Sequence, residues 1–78
     1  MSDEVSLSVY RVAVRQAALG RYRTAIGRKV PHELARNQSI AQTRAVDFPG
    51  LSARRIGIEL DAGIEADKVR SILEGWTK

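Results

Sequence analysis

The sequence predicts one compact, all-α domain, a bundle of about four helices spanning residues 1–78. Three observations predict it: apolar and small residues recur at helical spacing in the first third of the chain, capping signals precede two later segments, and a glycine separates the last two apolar stretches. A chain of 78 residues can bury only one marginal core. Self-association would supplement such a core, so a homodimer is expected.

The first segment, about residues 3–29, is expected to be helical. Apolar residues recur there every seven positions at Val5, Val12, Leu19 and Ile26, a spacing that would also suit a dimer seam. A second stripe consists of small residues: Ala13, Ala17, Gly20, Thr24 and Gly27. Residues 18–21 (ALGR) and 25–28 (AIGR) form a short internal repeat. Because apolar residues and serines alternate near the start, residues 1–8 are open to a short strand or a flexible arm.

The second segment begins with Pro31, which suits the first position of a helix. Asn37 can end that helical turn. Ser39 then stands three residues before Gln42, a capping-box spacing that indicates a separate helix running to Val46.

Two further helices are predicted in the last third of the chain. Ser52 is a candidate N-cap for a helix that runs to about Leu60, with Leu51 and Ile56 placed to form a hydrophobic staple. Gly63 follows this helix and is expected to act as its C-terminal cap. The last helix, from about Glu65 to Glu74, has Val69, Ile72 and Leu73 on one face. Ile56, Val69 and Ile72 are therefore predicted core positions.

No catalytic, cofactor-binding or metal-binding pattern is recognisable. There is no cysteine, and the single histidine, His32, has too few partners for a structural zinc site. No nucleophile with a base, phosphate-cradling loop or paired carboxylates can be identified, so an enzyme is not expected. The N-terminus lacks the order of a secretory signal, and arginines interrupt each apolar stretch. We therefore expect a cytoplasmic protein that does not span a membrane.

Positive charge is concentrated in the N-terminal half. The net charge is +4, and residues 11–29 contain six cationic side chains without one acid. Residues 51–78, in contrast, hold five basic and five acidic side chains. The first segment could follow a phosphate backbone, or it could present a solvated basic face that maintains solubility.

Residues 55–74 have the spacing of two helices joined by a glycine turn, with apolar residues at Ile58, Ile64, Val69 and Ile72. In this stretch the chain resembles the helix-turn-helix family of DNA-binding proteins, and its size is similar to that of small regulators from phages and mobile elements. One departure from the family pattern is Glu59, which stands where the family places a small residue. The resemblance implies base-edge contacts from the second helix at Glu65, Ala66, Asp67, Arg70 and Ser71.

The predicted function is a transcriptional or replication regulator that binds double-stranded DNA as a dimer. The expected DNA-contacting residues are Arg11, Arg15, Arg21, Arg23, Arg28, Lys29, Arg54, Arg55, Lys68, Arg70 and Ser71. The same glycine-turn segment also resembles the ubiquitin-associated fold, which implies a protein-docking surface. The alternative function is accordingly a small module that binds and modulates a partner protein without contacting DNA.

Overall fold

The computed structural model describes residues 2–76, with side chains from residue 9 onward. It contains three helices, α1 (Ser2–Gly27), α2 (His32–Val46) and α3 (Ala53–Trp76), and no strand within those residues. The all-α prediction is confirmed, whereas the predicted count of four helices is too high. Residues 2–8 belong to α1 and not to a strand or a flexible arm.

The helices pack in an up-down-up arrangement. Tyr22 of α1 meets His32 at the start of α2, and Tyr10 meets Phe48 just beyond its end, so α1 and α2 are antiparallel. In the ion pairs between α1 and α3, the residue numbers rise along both helices together, from Arg11–Glu59 to Arg23–Asp67. These two helices therefore run parallel to each other, with α2 antiparallel to both.

A Schellman motif ends α1. The backbone N–H of Val30 donates to the carbonyl of Ala25 at 3.1 Å, and that of Lys29 donates to Ile26 at 3.0 Å. Lys29 takes the left-handed conformation that this motif requires, with φ 68°. Gly27, the second glycine of the repeat, is the last residue of α1 and does not take the left-handed conformation.

The predicted boundary between Asn37 and Ser39 is wrong, because α2 is continuous through both. Ser39 does not cap a new helix: its hydroxyl donates to the carbonyl of Ala35 at 2.7 Å, one turn earlier in the same helix. This bond satisfies the buried hydroxyl within a continuous helix, so Ser39 does not act as a cap. The N-cap predicted at Ser52 is confirmed, since its hydroxyl accepts the backbone N–H of Arg55 at 3.1 Å.

The turn predicted at Gly63 is also wrong, because Gly63 lies in the middle of α3. A Cβ atom placed on Gly63 would lie 3.0 Å from Leu19 Cδ2 and 3.1 Å from Arg15 Cγ of α1. The absence of a side chain therefore allows two helices to approach closely and does not break the helix. Residues 55–74 form one helix, so the predicted C-terminal hairpin is not formed.

The core lies where the three helices meet. It is built from Val14, Ala18, Leu19, Ile40, Ile56, Leu60 and Ile64, with Tyr22, Phe48 and Leu51 packed at its margin. The core assignment of Ile56 is confirmed, and Leu19 is buried here and is not free to form a dimer seam.

Val69 and Ile72, the other predicted core positions, are exposed at 50% and 55%. The parallel packing explains this error. Because Leu19 lies beside Gly63, the end of α1 at Gly27 lies near the level of residue 71 of α3. From Ile72 onward α3 therefore extends beyond the end of α1, whereas Val69 lies level with α1 on a face of α3 that stays exposed.

Candidate interaction surfaces

A buried carboxylate joins α1 to α3. Glu59 is 1% exposed and accepts hydrogen bonds from Arg11 Nε at 3.0 Å and from an Arg15 terminal nitrogen at 3.1 Å. Burial raises the pKa of Glu59, but the hydrogen bonds and charges of the two arginines together outweigh it, so the net pKa lies below its ordinary value. Glu59, which departs from the helix-turn-helix pattern, is thus the acid of an ion pair between α1 and α3.

Two more arginines of α1 are also paired. Arg23 makes a bidentate contact with Asp67 at 2.7 and 3.0 Å, and its hydrogen bonds lower the pKa of that carboxyl. Arg21 contacts the hydroxyl of Thr43 and the carboxylate of Asp47. Four of the six cations in residues 11–29 therefore direct their donors at acids of α3 or of the segment that follows α2.

Six other cationic side chains make no hydrogen bond or ion pair within the described part of the chain. They are Arg28 and Lys29 in the turn between α1 and α2, Arg54 and Arg55 at the start of α3, and Lys68 and Arg70 towards the end of α3. Each belongs to the set predicted from sequence to contact DNA. Ser71, also in that set, lies beside Tyr22 and Ile72 in a shallow depression. The structure distributes these residues over three places and does not align them on one recognition helix.

An apolar ridge covers the last turns of α3. We define the α3 ridge as Val69, Ile72, Leu73 and Trp76, which are exposed at 50%, 55%, 51% and 79%. Their spacing of three, four and seven residues places them on one side of the helix. Monomeric proteins rarely leave a contiguous set of large apolar side chains, including a tryptophan, in contact with water. The sequence pattern groups Val69, Ile72 and Leu73 on one face, but it predicts Val69 and Ile72 as core positions.

A groove of about 650 Å³ separates α2 from the start of α3. The apolar residues of this α2–α3 groove are Ile40, Ala41, Ala45, Pro49 and Ala53, and its arginines are Arg36, Arg44 and Arg54. Asn37 completes the lining, which contains no acid. Sequence analysis did not identify this groove, because its residues come from two helices and the connection between them.

The part of the chain that the structure describes offers no group of ligands for a metal ion. Among the described residues, no three His, Cys, Asp or Glu side chains lie close enough together to hold one. His32 is 2.7 Å from the Tyr22 hydroxyl through its Nδ1 atom. Along the same part of the chain, none of the helices combines the length and apolar character needed to cross a lipid bilayer.

Comparisons with protein-family models, with curated proteins and with solved structures find no match for this chain.

Proposed function

We propose that this chain is a small protein-interaction module that docks through the α3 ridge, and that the occupant of the ridge is a second copy of the chain. The observation that carries the proposal is the exposure of four large apolar side chains at helical spacing. Burying such a ridge releases ordered water, and tryptophan side chains are frequent anchors of protein interfaces.

Charge and size favour a second copy as the occupant. Residues 65–76 carry Glu65, Asp67 and Glu74 together with Lys68 and Arg70, so two copies of this segment do not meet as like charges. The core of the single chain is also small, with eight buried apolar side chains among the described residues. Pairing two ridges would extend the apolar interior at the end where α3 has no covering helix.

The test is analytical ultracentrifugation over a range of concentrations, with the double variant Ile72→Gln/Leu73→Gln. The matched control is Leu34→Gln/Val46→Gln, which removes two apolar side chains of α2 that are exposed at 50% and 70%. We expect the wild type and the control to dimerise and the ridge variant to remain monomeric with unchanged helical content. Trp76 is the single tryptophan, so its fluorescence should shift to shorter wavelength on association.

Two results would refute this proposal. One is a wild-type chain that stays monomeric at high concentration with Trp76 emission typical of water. The other is a ridge variant that associates as strongly as the control.

A second candidate function is the binding of double-stranded DNA by a transcriptional or replication regulator. It is supported by the net charge of +4 and by the six cationic side chains that make no hydrogen bond or ion pair within the described residues. Because paired arginines are already neutralised, Arg55→Ala should reduce the salt dependence of duplex binding more than Arg23→Ala does. The expected loss is a log-log slope of about 0.9 per phosphate contact. Folded protein that binds no duplex at low salt would exclude this function.

A further inference from the structure

The α2–α3 groove differs from the rest of the surface because it joins an apolar floor to arginines without any acid. Gly57 of α3 allows the two helices to approach closely beside the groove: a Cβ atom there would lie 3.1 Å from a terminal nitrogen of Arg36 and 3.3 Å from Ile40 Cδ1. Further along, Ala41, Ala45 and Ala53 have short side chains, so an open groove remains between the helices. The volume of about 650 Å³ is within the range typical of ligand-binding clefts.

The three arginines of the groove are not equivalent. Arg36 is held by Asp61 through two hydrogen bonds of 2.8 Å, so its charge is compensated. Arg44 donates its Nε proton to the carbonyl of Leu51 at 3.0 Å, a neutral acceptor that leaves the positive charge uncompensated. Arg54 has no hydrogen bond or ion pair among the described residues. The groove therefore presents two free positive charges beside an apolar floor.

We infer that the α2–α3 groove binds an acidic, amphipathic helical segment of another protein. Carboxylates on one side of such a segment would accept hydrogen bonds from Arg44 and Arg54, and its aliphatic side chains would fill the space above Ile40, Ala45 and Pro49. DNA fits less well, because its phosphates would leave this apolar floor uncovered. A basic segment would be repelled by the two arginines.

This inference rests on the proposed protein-interaction function and adds the chemistry of a partner. It uses none of the residues of the α3 ridge, so the two can fail separately. A chain that dimerises but does not bind the acidic segment refutes the groove, whereas a chain that binds the segment as a monomer refutes only the ridge.

The probe is a labelled synthetic peptide that has leucine and glutamate at helical spacing, titrated with the full chain and followed by fluorescence anisotropy. A second peptide with every glutamate replaced by glutamine has the same shape without the charge. We expect the glutamate peptide to bind at least about tenfold more tightly than the glutamine peptide, in line with hydrogen bonds to charged groups.

The variants locate the site. Arg54→Gln, which removes a side chain with no hydrogen bond or ion pair among the described residues, should weaken binding of the glutamate peptide about tenfold. Arg44→Gln/Arg54→Gln should weaken it further. Arg28→Gln/Lys29→Gln is the control, because it removes two positive charges at the α1–α2 turn, and it should leave binding nearly unchanged. Ile72→Gln/Leu73→Gln should also retain binding.

Three outcomes would overturn the inference. The glutamate peptide could fail to bind at millimolar concentration, or it could bind no better than the glutamine peptide. Alternatively, the control at Arg28 and Lys29 could weaken binding as much as the variant at Arg44 and Arg54, which would indicate a general charge effect. Circular dichroism of each variant separates loss of binding from loss of fold.

Discussion

Replacing Glu59 by glutamine tests whether the buried ion pair holds α1 against α3. The substitution preserves the volume of the side chain and one acceptor oxygen, but it removes the charge that two arginines share. Glu59 is 1% exposed, whereas the side chains of Arg11 and Arg15 are exposed at 51% and 37%. The arginines can therefore recover hydrogen bonds to water, while the substituted amide remains buried.

The expected cost is about 2 kcal/mol of unfolding free energy. Each hydrogen bond to a charged group contributes about 1.5–3 kcal/mol, and partial exposure of both arginines reduces the sum of the two. For a domain of this size, that cost lowers the melting temperature by about 8–16 °C. Asp61→Asn is the control: its pair with Arg36 is exposed at 53% and 31%, so we expect a cost of at most about 1 kcal/mol.

Acidification gives an independent measurement of the same pair. Because the folded-state pKa of Glu59 lies below its ordinary value of 4.5, its stabilising contribution is complete above that pH and is lost as the pH falls through the folded pKa. Thermal denaturation followed by circular dichroism should show the wild type and Glu59→Gln converging in acid. A melting temperature that does not change on substitution at neutral pH would refute the role assigned to Glu59.

Four further substitutions test the formation and packing of the helices by thermal denaturation. Gly20→Ala should stabilise the chain by about 0.5–1 kcal/mol, because Gly20 lies inside α1 with nothing within 4 Å of an added Cβ, whereas Gly63→Val should destabilise it through contact with Leu19. An equal response at both glycines would contradict the close approach. Ser52→Ala should cost about 1 kcal/mol through loss of the N-cap bond to Arg55, and no change would show that bond to be dispensable. Ile56→Ala should cost about 2–5 kcal/mol because Ile56 is fully buried, and a smaller effect than that of Ile72→Ala in the monomer would place the core elsewhere.

The local features of the fold could be predicted from the sequence. The all-α class, the N-cap at Ser52 and the burial of Ile56 depend on residues within one or two turns of each other. Gly63 could not be assigned in this way, because a glycine suits both a helix terminus and a close contact between helices. The choice depends on Leu19, which lies 44 positions earlier in the chain.

The candidate surfaces show the same limit. Helical periodicity identified one face of α3 at Val69 and Ile72, but it could not indicate whether another helix covers that face. The basic character of α1 was also evident, but the acids that neutralise Arg11, Arg15 and Arg23 lie on α3, and their spacing along the chain gives no sign of pairing. The α2–α3 groove exists only once two helices are brought together.

The ion pair at Glu59 also selects one alignment of α1 against its neighbour. A slip of α1 by seven positions along its repeat would place Ile26 at the position of Leu19 beside Gly63, but it would also bring Arg21 to the buried position of Val14. The same slip would bring Ala18 and Tyr22 to the places of Arg11 and Arg15. Glu59 would then be a buried, unpaired carboxylate, at a cost of about 3–5 kcal/mol. The charge of Glu59 thus adds to the cost of burying Arg21 and further discriminates against the misaligned bundle.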